Sequence, residues 1–284
     1  GEVNGAVFGK LRPFADVFML FNSMTVLGAM LAGTDSLVVE FIDLRPLASV
    51  ITGLVCAVVA VSGLKGVLKA NAVLVPVMIV FLAVCSILAI EFPFRSSSSP
   101  IKPYSVVLYV SMNMILGGGV LSTVHELSPR EIILSSAVAS TLIAGLLMLI
   151  MGALSSSSAA HADMPMLLIA LKSGKVMYFI CLPVIAASIF TTMLSAFKSV
   201  YDYLSGFIKH KIVSAGLVLA AGLLVGAFGF STVVGRIYPI IGGIGLLYLA
   251  ANGWYLFKTR IKRDVKKKVK KVKSKVKRTV KRGA

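Results

Sequence analysis

Apolar residues run along this chain in long unbroken blocks. They show neither the alternation of a half-buried strand nor the one-sided stripe of a surface helix. Eight blocks stand out, at 14–34, 46–64, 70–90, 104–124, 132–154, 176–197, 212–230 and 237–257. Crossing a hydrocarbon core of about 30 Å as a helix takes about 20 apolar residues, so each block predicts a transmembrane helix. The in-out alternation of a membrane barrel is absent. The pattern predicts an all-α membrane protein, a helical bundle with about eight transmembrane helices.

Composition agrees, with 57% hydrophobic and 14% charged residues, against roughly a quarter charged in globular domains. The net charge of +18 is concentrated at one end: from Lys258 onward there are 11 Lys and 4 Arg against one Asp. The chain thus divides into a bundle, 1–257, and a polybasic tail, 258–284. Excess Lys and Arg beside a transmembrane helix mark the cytoplasmic side, which makes the C-terminus cytoplasmic in a multi-pass cell-membrane protein. With eight spans, residue 1 is then cytoplasmic too. Within the tail, Ile261, Val265, Val269, Val272, Val276 and Val280 recur at spacings of three and four. That is a cationic helix with one thin apolar stripe, suited to anionic lipid; a disordered solubilising tail is the alternative. Nucleic acid is not an expected partner, because the segment lacks aromatic residues and any recognisable binding fold.

Cys56, Cys85 and Cys181 fall inside the blocks with no CxxC spacing, and read as packing residues. The segment 155–175 is a long external connection containing "MPMLLIALKSG", which predicts a short helix after Pro165. Ser96–Ser99 and Ser155–Ser158 read as low-complexity linkers. The chain opens on Gly1 rather than Met, so residue 1 is not expected to be the natural start.

The block 104–124 carries Gly117, Gly118 and Gly119 side by side, followed by Ser122 and Thr123. Each glycine in a helix interior costs roughly 1 kcal/mol relative to alanine. Such a run predicts a helix that breaks and offers backbone groups to a ligand, as discontinuous helices do in secondary transporters. Close helix packing is the competing use of small residues, and Gly222 and Gly226, with nothing polar beside them, fit it better. Asn113, one turn before the glycines, is the preferred polar contact. Asn22 and Thr25, deep in the first block, are candidates to line a substrate cavity, or else to bond between helices. Asp16 and Arg12, and Lys198 and Asp202, stand four apart and predict ion pairs near the cytoplasmic ends.

The order of these elements resembles the LeuT-type fold of the amino acid–polyamine–organocation superfamily, and in particular its YkvI-type membrane protein family. That fold has ten helices in two inverted repeats, the first and sixth of them broken. The resemblance makes 104–124 the broken sixth helix, implies that the first two helices lie upstream of Gly1, and makes 155–175 an extracellular gate. It also implies a short connecting helix in "DSLVVEFIDLRP". In "SIFTT" it implies a sodium site formed by the carbonyl of Ser188 and the hydroxyls of Thr191 and Thr192. Neutral oxygens of this kind suit a hard cation, although such hydroxyls also bond to their own helix.

No catalytic constellation is visible, and the chain is not expected to be an enzyme. "HELSP" places Pro129 where a zinc protease needs its second histidine. His161 and His210 lack partners at ligand spacing, and "GGGVLST" has no phosphate-loop lysine. The expected function is secondary transport of a small polar or zwitterionic solute, such as an amino acid or amine, with sodium as the coupling ion and no other cofactor. A non-transporting small-ligand receptor related to germinant receptors, or a structural membrane protein, are the alternatives.

Overall fold

The computed structural model describes residues 7–39, 42–62, 65–90, 103–121, 128–155 and 164–259, and every regular element among them is helical. A 3-10 turn at Gly9–Leu11 leads into α1, Arg12–Val39. There follow α2 (Leu47–Ser62), α3 (Lys65–Ala89), α4 (Pro103–Leu121), α5 (Pro129–Ser155) and the short α6 (Pro165–Lys172). The chain continues with α7 (Lys175–Ser205), α8 (Lys211–Gly226) and α9 (Phe230–Thr259), whose first turns include a π-helical stretch at Val233–Ile237.

Five segments are long and apolar enough to cross a membrane: Gly9–Val39, Ala72–Ala89, Arg130–Ser155, Lys175–Ser205 and Phe230–Thr259. Leu47–Ser62, Tyr104–Ile115 and Lys211–Gly226 are apolar but shorter. Prolines and caps set several boundaries. Pro165 opens α6, as its fixed φ favours. At the start of α5 the Ser128 amide donates to Glu131 Oε2 at 2.7 Å and the Glu131 amide donates to Ser128 Oγ at 3.3 Å. This reciprocal capping box satisfies two amides that the helix cannot. The Ser49 amide donates to Asp35 Oδ1 at 2.9 Å, tying the start of α2 to the last turns of α1.

Helix α1 is the centre of the bundle, packed between α7, α8 and α2, with α4 and α9 touching it further along. Where lipid and side chains are equally apolar, close backbone approach replaces the hydrophobic drive, and small residues provide it here. Gly226 sits with its Cα side 3.1 Å from the Gly28 carbonyl, measured to an ideal Cβ position, and Gly222 would place a Cβ 2.8 Å from Leu27. Around this seam Leu27, Leu31, Ala29, Cys56, Met193, Phe197 and Val218 are buried in one cluster. A second cluster joins the C-terminal end of α1 to α3, α6 and α7 through Leu37, Cys85, Leu167 and Cys181.

Two expectations are corrected. Helix α4 does not break at Gly117–Gly119: the helix continues through all three glycines to Leu121. In an apolar medium an unmade backbone hydrogen bond costs several kcal/mol, more than the roughly 1 kcal/mol per glycine that continuity costs. The second concerns "DSLVVEFIDLRP", where a separate connecting helix was expected. Its Asp35–Val39 portion instead extends α1, and the described remainder, from Ile42 to the start of α2, is non-helical. Ser122, Thr123, residues 155–163 beyond Ser155, and the tail from 260 onward lie outside the described residues.

Candidate functional site

Ser188, Thr191 and Thr192, the residues expected to hold a cation, are neighbours on one helix. They lie at the middle of α7, where the Thr191 hydroxyl donates to the Ser188 carbonyl at 3.2 Å and the Thr192 hydroxyl donates to the same oxygen at 2.9 Å. Three neutral oxygens thus converge within one helical turn. Their chemistry fits a hard cation, which would accept lone pairs from both hydroxyls once their protons turn away from the Ser188 carbonyl. The same bonds also satisfy the hydroxyls locally.

The solute candidates are not gathered into one pocket. Helices α1 and α7 run antiparallel: Ser23 Oγ lies 3.4 Å from Ser199 Oγ, and a Cβ on Gly33 would meet Ile189 at 3.8 Å. In that register Thr192 is level with Met30, so Asn22 stands eight residues, about 12 Å, further along α1. Thr25 is buried and its hydroxyl donates to the Phe21 carbonyl at 2.9 Å, a bond within its own helix. Asn113 is exposed and donates from Nδ2 to the Tyr109 carbonyl at 2.8 Å. Gly117, Gly118 and Gly119 form continuous helical backbone, and Ser122 is outside the described residues.

Asn22 differs from the others. It is 1% exposed, and its Oδ1 accepts no hydrogen bond; Ser86 Oγ is the other such buried oxygen among the described residues. An amide oxygen left unmatched in a protein interior costs about 1–3 kcal/mol. A buried polar side chain at membrane depth is by default tied to function or to a partner helix, and among the described residues none donates a hydrogen bond to that atom.

The structure also shows a polar face on α7 that extends past the three predicted residues. Ser188, Thr192, Ser195 and Ser199 recur at steps of four, three and four, ending at the Lys198–Asp202 ion pair. Ser195 and Ser199 are exposed on this face, and Ser23 of α1 borders it. The spacing was present in "SIFTTMLSAFKSVYD" and could have been read there. In the first turns of α1, Arg12 Nε lies 3.2 Å from Asp16 Oδ2, the i,i+4 pair that the spacing predicts.

No family model matches the chain, and no solved structure matches it. It is 25% identical over 266 residues, 87% of this chain and 74% of the relative, to the "Uncharacterized membrane protein YkvI" of Bacillus subtilis (strain 168). The sequence likeness and the apolar helices together make this chain a multi-pass, all-helical membrane protein similar to that YkvI protein.

Proposed function

We propose that the chain is a secondary active transporter that moves a small polar or zwitterionic solute, of amino acid or amine type, across the plasma membrane. Its energy source is a sodium gradient, and its path follows the α1–α7 interface of a LeuT-like bundle. The observation that carries this reading is Asn22 Oδ1, fully buried on the central helix without a hydrogen-bond partner. A protein that is only a scaffold gains nothing from such an atom, whereas a solute donor passing along α1 completes it.

In this reading Ser188, Thr191 and Thr192 hold the cation, and the hydroxyl face from Thr192 to Ser199 is wetted rather than lipid-covered. The continuous helix at Gly117–Gly119 moves the solute contact away from α4 and onto α1 and α7. The excess of Lys and Arg after α9 favours a cytoplasmic C-terminal tail, held against anionic lipid. Reconstituted vesicles with an imposed inward sodium gradient test the proposal. Concentrative uptake of at least one neutral amino acid, abolished by a sodium ionophore, is expected. Saturable binding of such a solute without flux favours a receptor instead.

A further inference from the structure

Two of the three cysteines stand together beside α6. Helices α3 and α7 pack against each other, with Leu82 of one and Ile185 of the other around the same space. One turn further toward the end of α3 and the start of α7, Cys85 and Cys181 enter a single buried cluster with Leu37, Leu167 and Ala170. Both side chains are fully buried, and a charge on Cys85 is felt at Cys181. Helix α6 is tied to each member of the pair. The Cys181 thiol donates to the Met166 carbonyl at 3.9 Å, a long and weak bond, and the Ser173 hydroxyl donates to the Cys85 carbonyl at 3.3 Å. Cys56, the third cysteine, belongs instead to the central cluster around α1.

We propose that Cys85 and Cys181 are a redox-sensitive clamp, a thiol pair that closes to a disulfide, bolts α3 to α7 and fixes α6 over the joint. Spacing permits the bond. Packed helices with axes about 8–10 Å apart bring facing Cα atoms, each about 2.3 Å off its axis, to roughly 3.5–5.5 Å, and a disulfide takes Cα atoms about 4.4–6.8 Å apart. Cys85 lies four residues, about 6 Å, before the end of α3, and Cys181 six residues, about 9 Å, after the start of α7. Both are therefore near one end of the bundle. It is the end opposite the basic tail, since Leu37 of their cluster is close to the C-terminus of α1, whereas Tyr248 of α9 stacks on Phe8 before the N-terminus of α1. The excess of Lys and Arg favours the tail end as cytoplasmic, which leaves the thiols toward the side where disulfides form and persist. Access comes with α6. While it is seated the buried thiols are shielded and unreactive. When its two ties release, the Cys85 thiolate, the nearer to the helix end, attacks a small-molecule disulfide and expels one half, which takes up the proton that Cys85 gave up. Cys181 then attacks the Cys85 sulfur and expels the other half in the same way. Two protein thiols and one small disulfide become one protein disulfide and two small thiols, so the exchange balances with no further oxidant. No solute or coupling cation takes part, and the clamp is independent of the transport reading.

The experiment incubates the full chain in lipid nanodiscs with 2-hydroxyethyl disulfide, removes the reagent, and counts free thiols and linked peptides after denaturation without reductant. The expected result is a fall from three free thiols to one. The survivor is Cys56, Cys85 and Cys181 are recovered as one cross-linked peptide pair, and dithiothreitol restores all three thiols. Amide exchange across Leu167–Ser173 should slow by roughly tenfold or more once the bridge is closed, because α6 can no longer lift from its seat. Retention of three thiols overturns the inference, and so does a mixed disulfide on each cysteine with no link between them. A bridge that includes Cys56 overturns it as well. A Cys85–Cys181 bridge that leaves exchange in α6 unchanged shows a pair that does not clamp, and equally overturns it. The wild-type protein supplies these results without any variant. Cys85→Ala is the control for specificity: it should form no bridge and show no slowing, and slowing that persists in it also overturns the inference.

Discussion

Replacing Asn22 with leucine separates a functional polar group from a structural one, because the two roles predict opposite signs. The side chains share heavy-atom number and branching, so Asn22→Leu removes the amide with little change in shape. Asn22 Oδ1 is buried and unpartnered, and relieving such an atom returns about 1–3 kcal/mol. Shape-conserving core exchanges cost less than about 1.5 kcal/mol. The net expectation is therefore a stability between about 0.5 kcal/mol lower and about 3 kcal/mol higher. Uptake should fall at least tenfold, since the solute then meets methyl groups where it needs an acceptor. Equilibrium unfolding in detergent measures the first quantity, and proteoliposome flux the second. A variant destabilised by 2 kcal/mol or more would show that Asn22 bonds within the bundle, and unchanged flux would show that no solute uses it.

Thr191→Val with Thr192→Val exchanges two hard oxygen ligands for methyl groups of similar size. Sodium stimulation of uptake should disappear while the purified yield is kept, and undiminished stimulation would count against the cation site. Gly242→Ala drives a methyl into the Leu108 carbonyl of α4 and strains the Ser111–Gly242 hydrogen bond; overpacking of this kind costs about 1–3 kcal/mol, read as a lowered unfolding midpoint. Gly118→Ala, in a helix that does not break, should leave flux near the wild-type value, whereas abolished flux would restore a ligand role to that backbone. A peptide of residues 258–284 should bind anionic vesicles and release as salt shortens the screening length from about 10 Å at 0.1 M to about 3 Å at 1 M. Equal binding to neutral vesicles would remove charge as the cause.

Much of the helical layout was legible because bilayer-length apolar runs are a one-dimensional signal. Where the runs were interrupted by polar residues the boundaries moved. Helix α1 begins at Arg12 and reaches Val39, beyond the apolar block at both ends, because Arg12 and Asp16 pair along it and Asp35 is engaged by the start of α2. The packing glycines Gly222 and Gly226 were readable from small-xxx-small spacing, since close approach needs only the absence of side chains. The triple glycine misled for the complementary reason. Low helix propensity says where a break is cheap, but in an apolar medium the unmade hydrogen bonds decide whether one occurs. Asn22 was identifiable as a deep polar residue, yet whether its amide finds a partner depends on how neighbouring helices meet, which no local pattern contains.

The central claim is that polar groups on α1 and α7 serve the coupled movement of a solute. Counting both species in one proteoliposome assay, with labelled sodium and a labelled neutral amino acid, tests it most directly. Coupled transport predicts that each gradient drives the other species uphill at a fixed ratio, and that Thr191→Val with Thr192→Val breaks the ratio before it abolishes solute movement. Solute that binds but never crosses, or that crosses with no sodium flux in either protein, contradicts the account.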